Sequence, residues 1–211
     1  MTIIPSILEA TFEGFITKLR RVEPFFPFIQ VDVMDGKFVE TRSFAEVDQL
    51  KDLQTPLKFE LHLMVADPIA EMKKWEGNNK VFRVIFPIEV GNTKKIIAFI
   101  REHGWEAGLV LNPDTPLSDV APYFSLVSLI LFMTVYPGKQ GTPFVEKVKE
   151  KIKMFASLTP RPLCGVDGAV NATTIKGLEE AGADIVYPGS ALVWGEDVKQ
   201  AYEELKKIIS L

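Results

Sequence analysis

Short apolar runs rich in β-branched residues alternate along the chain with longer stretches in which apolar positions recur every three or four residues. The short runs are typical of buried strands, whereas the three-to-four spacing is typical of amphipathic helices. The first pattern predicts strands at Ile3 to Ile7, Phe28 to Met34, Leu57 to Leu63, Val81 to Phe86, Glu106 to Leu111, Leu126 to Met133, Leu163 to Asp167 and Ile185 to Pro188.

The amphipathic stretches predict helices between these strands. They are Thr11 to Val22, Ser43 to Leu53, Thr93 to His103, Pro143 to Phe155, Ala172 to Ala181 and Glu196 to Ile209. The segments after the third and fifth strands are shorter and have weaker helical periodicity. Eight strand-helix units in 211 residues predict an α/β fold, a single-domain (β/α)8 TIM barrel spanning residues 1–211. An open doubly wound sheet of six to eight strands is the structural alternative, and both folds place function at the C-terminal ends of the strands.

Three of the predicted strands place polar residues on one face, because strand side chains alternate. The residues that share a face are Gln30, Asp32 and Met34 in the second strand, Glu60, His62 and Met64 in the third, and Gly165 and Asp167 in the seventh. In a barrel the second and seventh strands lie across the mouth from one another, so Asp32 and Asp167 are predicted to face opposite sides of one bound molecule. Glu60, one step deeper than His62, is predicted to accept a hydrogen bond from the imidazole and orient it.

Two carboxylates placed in this way suit proton transfer at carbon. One can remove a proton from one side while the other delivers a proton from the opposite side, which inverts the centre. The carbon must be acidified by an adjacent carbonyl, whose developing enolate oxygen is held by a cation or by hydrogen-bond donors. His62 and Gln30 are placed between the aspartates and are candidates for that role.

The amino-acid composition mainly excludes nucleic acid and membranes as partners. A net charge of −4, a pI near 5.4 and scattered basic residues provide no positive field for nucleic acid or an anionic membrane. The chain has no run of about eighteen apolar residues and no signal-peptide pattern at its start, so we expect a cytoplasmic protein. The single cysteine, Cys164, lies out of phase with Asp167 and is predicted to pack against helices.

A series of short segments carries a resemblance to a known family through their shared order and spacing. They are Ile4-Pro5-Ser6-Ile7-Leu8, Val31-Asp32-Val33-Met34-Asp35-Gly36 with Phe38-Val39, Leu61-His62-Leu63-Met64-Val65, Asp67-Pro68, Leu111-Asn112-Pro113-Asp114-Thr115-Pro116, Met133-Thr134-Val135, Pro137-Gly138, Val166-Asp167-Gly168, and Gly182-Ala183-Asp184 followed by Gly189-Ser190. With these segments the chain resembles the ribulose-phosphate 3-epimerase family over nearly its whole length. The resemblance implies a (β/α)8 barrel that epimerises C3 of a ketose phosphate, interconverting D-ribulose 5-phosphate and D-xylulose 5-phosphate through an enediolate.

The same resemblance implies roles for individual residues. Asp32 and Asp167 would be the acid/base pair and, with His62, ligands of a divalent metal, which by resemblance is Zn, Fe, Mn or Co. The substrate would contact Ser6 and the thioethers of Met34, Met64 and Met133. The phosphate would bind backbone N–H groups of Gly168, Ala169, Gly189 and Ser190, under a closing loop that contains Gly138 and Gly141. Relatives form dimers and hexamers, which implies a homo-oligomer.

Several positions depart from the family pattern. Gln30 stands where the family has a histidine, the fourth metal ligand. A neutral amide oxygen suits calcium or magnesium better than zinc or iron, so we expect weakened or lost metal binding. Gln30 is either a ligand or a hydrogen-bond donor that fixes the nearby aspartate, and the second interpretation is favoured. The other departures are Pro87 for a histidine, Tyr136 for an asparagine in the closing loop, where Lys139 offers an alternative contact to phosphate, and Ala169 for a glycine. Ala169 would narrow the phosphate site if its position needs positive φ.

Three functions compete. The first is an epimerase of a ketose phosphate, either the five-carbon pair above or a six-carbon sugar such as allulose 6-phosphate. The second is a lyase or decarboxylase of the same barrel superfamily, which characteristically has a lysine two residues after the strand-two aspartate, where this chain has Met34. The third is a catalytically impaired relative that binds a phosphorylated sugar. Retention of both aspartates, His62 and Ser6 favours the first.

Overall fold

The computed structural model describes residues 1–44, 46–138, 142–195 and 197–209. Its strands are β1 (Thr2–Ile3), β2 (Ser6–Ile7), β3 (Phe28–Met34), β4 (Lys58–Met64), β5 (Val81–Pro87), β6 (Glu106–Leu111), β7 (Leu129–Met133), β8 (Leu163–Asp167) and β9 (Ile185–Tyr187). Its α-helices are α1 (Phe12–Val22), α2 (Val47–Lys51), α3 (Pro68–Lys74), α4 (Thr93–Glu102), α5 (Val148–Ala156), α6 (Ile175–Glu180), α7 (Ser190–Val193) and α8 (Val198–Ile209). Short 3-10 helices lie at Ile88–Val90, Leu117–Asp119 and Ala121–Leu126.

All strand pairings in the sheet are parallel, in the order β1-β9-β8-β7-β6-β5-β4-β3-β2. The two end strands, β1 and β2, belong to one N-terminal segment that is interrupted only at Ile4-Pro5. Thr2 is in register with Ile185 of β9, and Ser6 is in register with Gln30 of β3. Because one segment pairs with both ends of the sheet, the sheet closes into a (β/α)8 TIM barrel, and the open-sheet alternative is wrong.

Strand residues are buried on both faces, as the near-continuous apolar runs require in a parallel sheet covered by helices. One face of each strand packs against the helices in the main hydrophobic core. The other face fills the barrel interior, where Ile4, Ile85, Val110, Leu129 and Leu131 form a smaller apolar cluster. Polar side chains replace this apolar filling near the C-terminal ends of β3, β4 and β8, and that is where the candidate site lies.

All eight predicted strands are confirmed, although the first is split and the sixth begins at Leu129 instead of Leu126. Residues 121–126 form a 3-10 helix, because Pro122 and the small residues nearby favour a tight turn over a strand. The six predicted helices are present with shorter bounds. For example, α2 begins four residues after Ser43.

The weakly periodic segment after the third strand contains α3, which is capped by Asp67 through a bond from the Ala70 amide to its carboxylate at 3.0 Å. The four-residue helix α7 was not predicted. Among the described residues, no helix combines the length and apolar character that crossing a bilayer requires. The domain bounds 1–211 stay a prediction.

Candidate active site

A cavity of about 430 Å³ opens at the C-terminal ends of the barrel strands. Eleven predicted site residues line it, namely Ser6, Asp32, Met34, Met64, Met133, Gly138, Asp167, Gly168, Ala169, Gly189 and Ser190. Gln30 and His62 are fully buried side chains that contact the carboxylates from within the barrel. The structure therefore brings together every predicted site residue that it describes. Gly141 and Lys139 lie outside the described residues.

Strand register places the polar side chains side by side. Asp32 of β3 is paired with His62 of β4, and the next inward residues, Met34 and Met64, are also paired. Asp167 ends β8, the third strand from β3 by way of β9 and the N-terminal segment. The two aspartates consequently lie closer together than an arrangement across the barrel mouth implies. Single ligand atoms of Asp32, His62 and Asp167 all lie within 4.8 Å of one another.

Hydrogen bonds tie the carboxylates into one network. The Ser6 hydroxyl donates to Asp32 Oδ2 at 2.7 Å. Gln30 Nε2 donates to Asp32 Oδ1 at 3.0 Å and to Asp167 Oδ2 at 2.7 Å. The two aspartates therefore share one amide donor, and the prediction that Gln30 fixes Asp32 is confirmed.

The imidazole of His62 faces the same carboxylates. Its Nδ1 lies 3.0 Å from Asp32 Oδ1 and 3.5 Å from Asp167 Oδ2. Burial alone would lower the pKa of His62, but hydrogen bonds to Asp167 and Asp32 outweigh it and raise that pKa to about 9. Burial, together with the negative charge of Asp167, raises the pKa of Asp32 despite the opposing hydrogen bond from His62. The neighbouring carboxyl groups thus favour the protonated form of the imidazole.

The buried Asp-His-Asp group has the chemistry of a divalent-metal site. Carboxylate oxygens and imidazole nitrogens are usual ligands of divalent zinc, iron and manganese, and one such atom from each of the three residues lies within 4.8 Å of the others. Within the described part of the chain, Gln30 Oε1 and His62 Nε2 are buried without a hydrogen-bond partner, which indicates that the polar cluster is not fully satisfied by protein groups. Asp32, His62 and Asp167 fit a divalent cation.

Glu60 does not orient His62, so that prediction is wrong. Its carboxylate is fully buried and forms an ion pair with Arg83, which faces it on the neighbouring strand β5. The imidazole of His62 faces Asp32 and Asp167, whereas the guanidinium of Arg83 faces Glu60 and provides a charge-assisted hydrogen bond. Sequence reasoning missed Arg83, although its position in phase with Ile85 places it on the inward face of an apolar strand.

The candidate phosphate loop follows β8. Gly168 has a φ of +107° and Ala169 a φ of +49°. The backbone at position 169 does require positive φ, a conformation that an alanine adopts at a steric cost. A side chain at Gly168 would collide with Val135 Cγ2 at 2.7 Å from its Cβ. The second candidate loop places Gly189 directly before α7.

Two further departures from the family pattern lie away from the cavity. Pro87 ends β5 as a buried residue, and the half-exposed Tyr136 donates a hydrogen bond to Asp114 Oδ2 at 3.0 Å. Neither is among the described residues that line the cavity. Tyr187 and Trp194 do line it and were not predicted. Alternation from Ile185 gives an inward Tyr187, whereas no local pattern points to Trp194.

Comparisons with known proteins agree with this geometry. Residues 2–193 match the model of the ribulose-phosphate 3 epimerase family. The chain is 32% identical to ribulose-phosphate 3-epimerase of Bacillus subtilis over 212 residues, covering 97% of both chains. It is 33% identical to the chloroplastic ribulose-5-phosphate-3-epimerase of Arabidopsis thaliana over 211 residues, which cover 96% of this chain and 75% of that relative. The solved 3-keto-L-gulonate-6-phosphate decarboxylase of Vibrio cholerae superposes with a TM-score of 0.73 at 12% identity, covering 100% of this chain and 97% of that one, and so shares the fold.

Proposed function

The chain belongs to the ribulose-phosphate 3-epimerase family and is an epimerase, and on that premise we propose that it interconverts D-ribulose 5-phosphate and D-xylulose 5-phosphate at C3. The observation that carries the proposal is the pair of buried carboxylates, Asp32 and Asp167, at the floor of one cavity. A cavity of about 430 Å³ has the size of a small-ligand site.

The two aspartates divide the proton transfer between them. One carboxylate removes the C3 proton, the electron pair moves into the adjacent carbonyl to give an enediolate, and the other carboxyl group delivers a proton to the opposite side of C3. Ser6 and Gln30 hold Asp32 by hydrogen bonds to different oxygens, which restricts the rotation of its carboxylate. This restriction supports a positioned acid/base group.

The rest of the cavity provides the remaining substrate contacts. Met34, Met64 and Met133 form an apolar wall beside the carboxylates, while Ser6 adds a hydroxyl. Backbone N–H groups of Gly168, Ala169, Gly189 and Ser190 are the proposed phosphate ligands, with Gly138 and the predicted Gly141 in the covering loop. The positive φ values at Gly168 and Ala169 support this assignment, since such turns aim successive N–H groups at an anion.

A divalent cation would be held by Asp32, His62 and Asp167. The family resemblance implies Zn, Fe, Mn or Co, and Gln30 in place of the fourth ligand would weaken the binding of that cation. When bound, such a cation would stabilise the negative charge that develops on the enediolate oxygens. Action in the cytoplasm and assembly as a homo-oligomer are further expectations of the proposal.

A variant pair tests the acid/base assignment. Asp167→Asn is nearly isosteric but cannot exchange a proton, so epimerisation of D-ribulose 5-phosphate should fall by at least about a thousandfold with an unchanged circular dichroism spectrum. Asp48→Asn is the control, because Asp48 is exposed on α2 and forms an ion pair with Lys51 outside the cavity. Turnover by Asp167→Asn equal to that of the control would exclude this mechanism.

Two alternatives remain. A six-carbon ketose phosphate such as allulose 6-phosphate would be converted faster than the five-carbon sugar if it is the true substrate. A catalytically impaired sugar-phosphate-binding protein is favoured by one observation, the amide of Gln30, which donates hydrogen bonds to both carboxylates of the proposed acid/base pair. Such a protein would bind D-ribulose 5-phosphate without converting it.

A further inference from the structure

Gln30 places the nitrogen of its side-chain amide at the centre of the carboxylate pair. The residue is fully buried. Its Nε2 lies 2.7 Å from Asp167 Oδ2, 3.0 Å from Asp32 Oδ1 and 3.3 Å from the Ser6 hydroxyl oxygen. One nitrogen thus contacts three oxygens from three different strands.

The chemistry of these oxygens fixes which end of the amide faces them. An ionised carboxylate only accepts hydrogen bonds, a protonated carboxyl group keeps one oxygen that accepts, and the Ser6 hydroxyl donates its single proton to Asp32 Oδ2. All three oxygens around Gln30 are therefore acceptors in this direction, and only the NH2 end of the amide satisfies them. The carbonyl end, Oε1, is buried and has no partner in the described part of the chain.

Two of the three oxygens that Gln30 contacts also lie next to the imidazole of His62. Its Nδ1 approaches Asp32 Oδ1 and Asp167 Oδ2, the same two atoms that accept from Gln30 Nε2. A cation held by Asp32, His62 and Asp167 needs lone pairs of these carboxylates. The amide protons of Gln30 occupy one lone pair on an oxygen of each carboxylate, on the side where the two carboxylates approach each other.

We propose that Gln30 is an amide clamp, which holds Asp32 and Asp167 together through its NH2 group and competes with a divalent cation for their oxygens. To admit a cation, the amide must leave the carboxylates or rotate Oε1 toward them. Gln30 is a positioning residue, which keeps Asp32 and Asp167 together when no metal is bound. The inference rests on the proposed function only for the catalytic role of the two aspartates.

Removal of the Gln30 amide should change the affinity for the cation in opposite directions, depending on whether Gln30 is a clamp or a metal ligand. Gln30→Met keeps the length of the side chain and removes its donors and acceptor. If Gln30 competes with the cation, the variant should bind the cation more tightly, because nothing has to be displaced. If Gln30 is instead a ligand, the variant should bind it more weakly.

Calorimetric titration of zinc chloride into EDTA-stripped protein distinguishes these cases. We expect Gln30→Met to bind zinc at least about tenfold more tightly than the wild type, as loss of a hydrogen bond to a charged group implies. Gln49→Met, at an exposed position on α2, is the matched control and should not change the affinity. Gln30→His, which adds an imidazole, shows that the titration detects a gain. Unchanged or weaker binding by Gln30→Met overturns the clamp.

A measurement on the wild type keeps the test independent of the folding of the variant. In the metal-stripped protein, nitrogen-15 spectra should show one glutamine side-chain NH2 pair with slow solvent exchange, and saturating zinc chloride should shift it and remove its protection. An NH2 pair that is unaffected by bound zinc overturns the clamp. Both readouts are independent of turnover, so an epimerase assay that fails would count against the proposed function and leave the clamp intact.

Discussion

At the scale of single residues, the site combines favourable hydrogen bonds with one strained backbone position. Ala169 has a φ of +49° directly after Gly168, in the loop proposed to bind phosphate. Its carbonyl accepts bonds from Thr174 Oγ1 at 2.8 Å and from Asn171 Nδ2 at 2.9 Å. These bonds stabilise the loop in a backbone conformation that is unfavourable for an alanine.

Ala169→Gly should remove this strain. A non-glycine residue in the left-handed region costs about 1–2 kcal/mol, so the variant should be stabilised by about 1 kcal/mol after the extra chain entropy of glycine. The melting temperature should rise by about 2–4 °C. Ala201→Gly in α8, where φ is negative, is the control and should lower it. An equal decrease in the melting temperature of both variants would show that the backbone at position 169 is not strained.

At the scale of elements, an ion pair joins β4 and β5 inside the barrel. Glu60 and Arg83 are both buried, and Arg83 Nη1 also lies 3.5 Å from Glu106 Oε2 on β6. Burial raises the pKa of Glu60, and the positive charge of Arg83 opposes that rise. The pair lies beneath His62 in the barrel interior, so loss of one partner would leave an uncompensated charge there.

Arg83→Met tests the pair. Removing one partner of a buried pair costs about 3–5 kcal/mol, because the remaining charge is uncompensated. The double variant Glu60→Leu/Arg83→Met should recover most of that loss in the free energy of unfolding, measured with urea. If the double variant is as unstable as the sum of Arg83→Met and Glu60→Leu, the two residues are not coupled.

A second element-scale contact ties the start of β8 to the turn before β9. Asp184 accepts hydrogen bonds from Arg161 Nη1 at 2.6 Å and from the Cys164 amide at 2.7 Å. Burial raises the pKa of Asp184, but the bonds from Arg161 and from the Cys164 amide outweigh it and lower the pKa. Its stabilising contribution is therefore present above the unfolded-state pKa of about 3.9 and is lost as the pH falls through the lower folded-state value.

Asp184→Asn should consequently lower the melting temperature at pH 7 by about 2–4 °C. The difference from the wild type should shrink as the pH is lowered below about 4, since the wild-type carboxylate is then protonated as well. Thermal unfolding monitored by circular dichroism across this range measures the effect. A difference that stays constant down to pH 2 would contradict the role of the charge.

At the scale of the whole molecule, the barrel and most of the cavity could be predicted from the sequence. Period-two alternation decides which strand residues face inward, so the shared inward face of Asp32, His62 and Asp167 follows from the sequence alone. The shared amide of Gln30 could not be predicted, because it depends on the distance between strands that are far apart in the chain. The prediction for Glu60 is wrong for a different reason, because alternation along β4 does not show that Glu60 is in register with Arg83 of β5.

Proton exchange in deuterated water shows whether two carboxylates epimerise C3 of a ketose phosphate. D-ribulose 5-phosphate is incubated with the purified enzyme in D2O, and the C3 proton is followed by NMR. We expect D-xylulose 5-phosphate to form with deuterium at C3, because the carboxyl group that delivers the new proton is equilibrated with solvent. Product that retains the original proton, or a sugar phosphate that binds without any exchange, would contradict it.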